Sequence, residues 1–146
     1  MFFHDESRVG LHTKYGRGLT AKGVQPVCTF QQVFEYTYIF GAFSPLTGEQ
    51  FQLEMPCCNT DTFQVFLNEF SQTNPQEYKI VVLDNGAFHK AKRLKIPPNI
   101  ALLFLPPYSP ELNPAEKIWQ HIKRSFTNKL FKNLNEISDL HFLHLF

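Results

Sequence analysis

No run of about 18 or more apolar residues occurs in the 146-residue sequence, which excludes a membrane-spanning helix. The opening "MFFHDESR" lacks a charged segment followed by an apolar one, so no secretory leader is visible and a cytoplasmic setting is expected. Cysteine is sparse. Cys28, Cys57 and Cys58 show no C-x-x-C spacing, and the adjacent pair suits neither zinc nor an unstrained disulfide. Reduced structural thiols are the expectation. The six histidines, His4, His12, His89, His121, His141 and His144, contain no H-E-x-x-H. There is no G-x-S-x-G nucleophile elbow and no G-x-x-x-x-G-K phosphate loop. These absences set aside zinc peptidases, serine hydrolases of the elbow type and P-loop nucleotidases.

Lysine and arginine are missing between residues 23 and 78, which hold the acids Glu35, Glu49, Glu54, Asp61, Glu69 and Glu77. Residues 79–135 invert the balance. There Lys79, Lys90, Lys92, Arg93, Lys95, Lys117, Lys123, Arg124, Lys129 and Lys132 face only Asp84, Glu111 and Glu116. The formal net charge of +1 conceals this asymmetry. A basic half beside an acidic half can carry a polyanion-binding face; plain solvated faces are the simpler alternative.

Hydrophobic residues make up 43% and charged residues 18%, a globular balance, and the length fits one domain. Sixteen phenylalanines suit a sheet-rich core. Residues 2–12 read as a first strand, "GRGLTAKG" (16–23) as a turn-rich loop and residues 27–43 as a long aromatic strand. "SPLTGE" reads as a hairpin turn before the alternating strand 50–55. Phe63, Phe66, Leu67 and Phe70 have helical spacing, with Asn59 or Thr60 able to cap. "YKIVVLD" (78–84) and "IALLFLP" (100–106) are short apolar runs expected as buried strands. A helix is expected over 115–130, with Trp119 beside a stripe of Ile118, Ile122, Phe126 and Leu130, and a last helix over 134–146. Three antiparallel strands followed by alternating helices and strands predict an α/β fold, a mixed sheet flanked by helices.

Three carboxylates stand out by position: Asp5 in the first strand, Asp84 ending a buried strand, and Glu116 opening a helix. Each has an ordinary explanation. "DNG" is a turn signal, Asp5 beside Glu6 is surface charge, and Asn113-Pro114-Ala115-Glu116 fits a capping box. Yet a carboxylate at the carboxyl end of a buried strand is also how an α/β sheet presents a site. At 100° per residue Glu116 falls at the edge of its helix's apolar stripe, facing the strand ends. Three convergent carboxylates are hard oxygen donors for Mg²⁺ or Mn²⁺, and two such ions can clamp both oxygens of a phosphoryl displacement.

"FFHDESR", "VVLDNGAFH" and "LPPYSPELNPAEKIW", in that order along nearly the whole chain, resemble the DDE transposase domain of the Tc/mariner superfamily, in its bacterial insertion-sequence branch. "GRGLTAKG" is similar to the loop after the first strand in that branch. The resemblance implies a ribonuclease-H-like fold and a cut-and-paste DNA transposase using Mg²⁺ or Mn²⁺, with two ions. It makes Asp5, Asp84 and Glu116 the metal-binding, catalytic triad. It also implies transposon-end and target DNA as partners, a homodimer when active, and a cytoplasmic, nucleoid-associated setting. Lys90, Lys92, Arg93, Lys95, Lys123 and Arg124 are expected on the DNA phosphates, and His89 is a candidate polar group at the metals, with simple structural use an equal alternative. Family members carry helix-turn-helix segments ahead of the first Asp, so this chain is expected to be the catalytic half alone. The alternative is a non-catalytic DNA-binding or assembly fragment on the same fold.

Overall fold

The structure, a computed structural model, describes residues 1–107 and 109–143. Five strands form one mixed sheet: β1 (Phe2–Gly10), β2 (Tyr36–Phe43), β3 (Gln50–Met55), β4 (Lys79–Leu83) and β5 (Ile100–Phe104), in the spatial order β3-β2-β1-β4-β5. The hairpin partners β1–β2 and β2–β3 are antiparallel, whereas β1–β4 and β4–β5 are parallel. Helix α1 (Thr60–Gln72) makes the crossover into the parallel half, and α2 (Ala115–Ser125) and α3 (Leu134–Leu143) follow the last strand. This is the expected mixed α/β architecture. The last three residues of the expected final helix lie outside the described residues.

Alternation along the strands distributes two cores, one on each face of the sheet. On one face Phe2, Phe40, Ala42, Val81 and Leu83 meet Phe63, Phe66, Leu67 and Phe70 of α1. On the other, Val9, Ile39 and Phe43 meet Ala115, Trp119 and Ile122 of α2 and Ile137 of α3. Asn59 caps α1, accepting from the amides of Asp61 and Thr62 while the Thr62 hydroxyl returns to the Asn59 amide, a complete capping box. Lys79, counted above with the basic half, is buried: its Nζ donates to the Asn74 carbonyl at 2.9 Å and lies over the Phe70 ring.

Two expected elements are shorter than the pattern implied. The strand expected over 27–43 begins at Tyr36, because Gly10, the last residue of β1, pairs with Tyr36 and offers nothing beyond for a longer strand to pair with. Residues 11–35 instead form an irregular excursion, held near its base by Leu11 N–H to the Glu35 carbonyl and Thr13 N–H to the Gln31 carbonyl. The helix expected to reach residue 130 stops at Ser125. Asn128 adopts φ 58° and gives its amide to the Lys14 carbonyl, so the chain leaves the helix to pin the excursion, and Leu130 is exposed rather than in the stripe.

Gly41 sits at the centre of the second core, paired in register with Asp5. A Cβ there would lie 2.6 Å from the Phe43 ring and 2.8 Å from that of Trp119. Gly41→Ala is expected to destabilise the chain by roughly 1–3 kcal/mol in denaturant titration, as overpacking does; an unchanged midpoint would contradict this packing.

Candidate active site

Asp84 follows β4 at the carboxyl end of the parallel half of the sheet. Its Oδ1 accepts from the Gly86 amide and from His89 Nδ1, both at 2.9 Å, while its side chain is 64% exposed. Gly86 permits this: a Cβ would stand 3.0 Å from His89 Nδ1 and 3.1 Å from Asp84 Oδ1. The "DNG" turn and the site are therefore the same object.

Asp5 lies mid-strand in the neighbouring β1, on the α2 side of the sheet, and Glu116 lies in the first turn of α2. Asn113 brings them together. Its Oδ1 accepts from the Ala115 amide at 3.1 Å, starting the helix, and its Nδ2 donates to the His4 carbonyl at 3.0 Å, fastening that helix start to the residue before Asp5. Among the described residues no hydrogen bond returns the Glu116 carboxylate to the Asn113 amide, so the cap forms without its capping-box half. Asp5, Asp84 and Glu116 line one cavity of about 520 Å³, walled also by Gly86, Pro106 and Pro107. The proline-rich segment thus contributes its own wall as well as the helix start.

The electrostatics fit a cation site. Burial first, and then the charges of Glu6, Asp84 and Glu116, together push the Asp5 carboxyl up to about 7, against a hydrogen bond from the Glu6 amide. Carboxylates that repel one another at a cavity, all hard oxygen donors and with no thiol or imidazole in the set, suit Mg²⁺ or Mn²⁺.

On the opposite face of β1, Glu6 is the residue near the candidate site that the sequence reading missed. Far from solvated surface charge, its carboxylate is largely buried, and Oε1 accepts from His4 Nε2 at 2.8 Å and His89 Nε2 at 2.7 Å. His4 Nδ1 in turn donates to the Gly41 carbonyl at 2.9 Å. A continuous chain of hydrogen bonds thus runs from the core through His4, Glu6 and His89 to Asp84. Burial alone would raise Glu6, but the hydrogen bonds and charges of the two histidines hold it at about 2. Burial works to lower His89, and the carboxylates of Glu6 and Asp84 outweigh it and raise it. Among the described residues these three are the tightest convergence of possible metal ligands, their atoms within 4.8 Å of one another, whereas the three acids stand around their cavity without closing to that spacing. Since both Nε2 atoms already donate to Glu6, the cluster is a positioning network. The period-two spacing of His4 and Glu6, with His89 five residues after Asp84, was the available signal.

The six basic residues expected on DNA fall in two groups. Lys90 reaches Asn85 and lies over the Phe104 ring, Arg93 pairs with Asp61 of α1 at 3.0 Å, and the Lys95 backbone bonds Gln64 of α1, with Lys92 exposed between them. Lys123 and Arg124 lie in the last turn of α2, which packs on the other face of the sheet. The three cysteines are free thiols, and burial is the main cause raising Cys58 to about 11, which leaves it no nucleophile.

Adjacent acids are expected to respond in opposite directions. Asp5 has a raised pKa, so its folded form holds a proton that the unfolded form has lost between about pH 4 and pH 7, and stability falls as pH rises through that window. Asp5→Asn should therefore raise the melting temperature at pH 8 by more than about 3 °C, on the order of 1 kcal/mol, with little gain below pH 4. Glu6 has a depressed pKa, so its contribution is present above about 4.5 and lost as pH falls toward 2. His89, being raised, contributes below about 6.5 and loses that contribution as pH rises through its folded value. Glu6→Gln should cost roughly 3 kcal/mol at pH 6. Thermal melts of both variants across pH check the pair, and equal signs would contradict the assignment.

The sequence model of a family described as DDE superfamily endonuclease matches residues 1–138. A Sinorhizobium fredii protein named y4pE/y4sA is 38% identical over 104 residues, covering 70% of this chain and 77% of that protein. The 39 kDa protein of insertion element IS630 from Shigella sonnei is 26% identical over 132 residues, 87% of this chain and 38% of that protein. Among solved structures, the Mos1 transposase paired-end complex with the left transposon end superposes with a TM-score of 0.70 at 17% identity, over 94% of this chain and 45% of that one. The Mos1 paired-end complex with Mg gives 0.67 at 15% identity, over 99% and 47%. The chain thus spans less than half of those transposases and of the insertion-element protein. The fold is ribonuclease-H-like, as in the Mos1 structures, and the chain belongs to the DDE superfamily endonuclease family.

Proposed function

We propose that this domain cleaves DNA phosphodiester bonds and transfers the freed strand, with Asp5, Asp84 and Glu116 holding two Mg²⁺ or Mn²⁺ ions. The observation that carries the reading is that three carboxylates from β1, the end of β4 and the start of α2 line one cavity at the carboxyl ends of parallel strands. Mos1 structures holding Mg and Mn on the same fold support the choice of metal. Such ions supply Lewis acidity and bring attacking and leaving oxygens into line.

The protein's own share is placement. His89 and the Gly86 amide both hold Asp84 by Oδ1, and among the described residues Oδ2 takes no hydrogen bond and can serve the cavity. Asn113 fixes the height of Glu116 relative to Asp5. In hydrolysis a water oxygen bonds to phosphorus, the P–O3′ bond breaks and the 3′ oxygen leaves as a hydroxyl. In strand transfer that hydroxyl oxygen would bond to a target phosphorus as the target strand's own P–O3′ bond breaks and its 3′ oxygen leaves as a hydroxyl, so no covalent enzyme intermediate and no protein nucleophile is required. Transposon-end and target DNA and a second copy of the chain are the partners proposed, by analogy with the paired-end Mos1 complexes. Lys90, Lys92, Lys95, Lys123 and Arg124 are proposed on the phosphates. Arg93 is proposed there too, once released from Asp61.

Labelled duplex DNA incubated with the chain in Mn²⁺ should be nicked, and Asp84→Asn should reduce the rate at least about 10²-fold, the scale on which a positioned electrostatic group acts. Salt-sensitive binding with no nicking in either metal would instead support the non-catalytic fragment. Separately, Mn²⁺ should raise the melting temperature of the wild-type chain and leave that of Glu116→Gln nearly unchanged, as expected when a ligand binds only the folded site. Equal shifts in both would remove Glu116 from the set.

A further inference from the structure

A second cavity, of about 350 Å³, lies between the 11–35 excursion and the carboxyl end of α2. That is within the range of small-ligand sites, roughly 300–1,000 Å³. Its floor is apolar: Val9, Phe126 and Phe131 are all buried. Its rim is basic, carrying Arg8, Lys14, Lys123 and Lys129 against the single acid Glu35. Among the described residues none of these four cations has an acidic partner within 4 Å. Arg8 is held over the Tyr36 ring, 5.1 Å from its centroid. Phe34 stands at the opening with 71% of its surface exposed, and among the described residues His12 is its ring partner, tilted at 5.6 Å between centroids.

The walls are fixed. The Asn128 amide donates to the Lys14 carbonyl at 3.0 Å, Asn128 Oδ1 accepts from the Gly16 amide at 2.9 Å, and Gln31 Nε2 donates to the Phe131 carbonyl at 3.0 Å. Three hydrogen bonds therefore hold a long irregular segment against the chain just after α2. Lys123 is pushed down by burial and by its neighbours Lys14 and Arg8, while Asp5 pulls the other way. The cationic cluster thus crowds charge that an anion would relieve, and it feels the first of the three acids.

We propose that this cavity takes an unpaired nucleotide of a DNA strand, its base stacked on Phe34 above the apolar floor and its phosphates on Arg8, Lys14, Lys123 and Lys129. An aromatic platform inside a basic funnel is the chemistry that single strands select. Duplex DNA would place its phosphates on the same cations but could not present a free base face to Phe34. The inference rests on the reading that the domain acts on DNA, and it extends that reading to a strand continuing past the three acids into a separate pocket.

The test uses the 146-residue chain and two fluorescent duplexes, one blunt and one with a short single-stranded extension containing 2-aminopurine. The extension should tighten binding about tenfold, in line with one base stacked on an aromatic ring, and the 2-aminopurine emission should fall on binding. Phe34→Ala should abolish both effects and leave blunt-duplex affinity unchanged. Lys129→Ala, also at an exposed residue, should weaken both duplexes and flatten the salt dependence, and it stands in should Phe34→Ala melt early. Equal affinity for the two duplexes, or an extension preference that survives Phe34→Ala, overturns the proposal. Displacement of the extension by free dAMP at the same affinity also overturns it, because the pocket would then serve a mononucleotide. Asp84→Asn separates this from the catalytic reading: it should stop nicking and preserve the extension preference, and nicking that persists in it refutes the triad alone.

Discussion

Glu6, buried and ionised between His4 and His89, is the constraint on which the site depends. A carboxylate there is tolerated only because two imidazoles satisfy it, and one of those imidazoles uses its other nitrogen to hold Asp84. The charged interior of the α1 face is thereby coupled to the acid at the strand end. Because side chains alternate along β1, Asp5 points to the other face one residue earlier. Two neighbouring acids in one strand therefore have opposite tasks. Glu6 is paired and depressed, whereas Asp5 is raised by burial and by the acids around it. The first therefore adds stability near neutral pH and the second takes it away, which is the pattern the proposed cation site calls for.

The second fastening is Asn113. One side chain starts α2 and grips the backbone of β1, so the helix cannot shift along the sheet without breaking the bond to the His4 carbonyl. Gly41 and Gly86 complete the arrangement by omission. The first leaves room for Phe43 and Trp119 beneath Asp5, and the second lets His89 close on Asp84. Placement of three acids from distant parts of the sequence thus comes down to two side-chain links and two missing Cβ atoms.

Much of this was legible in the sequence where local periodicity and burial agree. The phenylalanines of α1, the apolar strands β4 and β5 and the asparagine–proline start of α2 all declared themselves. What failed did so where tertiary partners decide. The aromatic stretch 27–35 has strand composition but no strand to pair with, and Leu130 keeps helical spacing after Asn128 has already turned the chain away. Glu6 was passed over because an acid beside an acid near the N-terminus looks solvated. Only the fold brings His89 across from 83 residues away to bury it. Lys79, one of the ten basic residues of the second half, is likewise buried, its ammonium donating to a carbonyl in the interior.

The central claim is that Asp5, Asp84 and Glu116 bind metal as one site. Paramagnetic broadening by substoichiometric Mn²⁺ in the amide NMR spectrum tests it most directly, because the effect falls steeply with distance from the ion and needs no activity. The expected result is that the amides around residues 5, 84–86 and 116 broaden together and first, and that Asp84→Asn weakens the effect at all three places at once. Broadening that begins instead at exposed acids such as Glu35 or Glu49, or that leaves residue 116 sharp while residue 84 disappears, would contradict it.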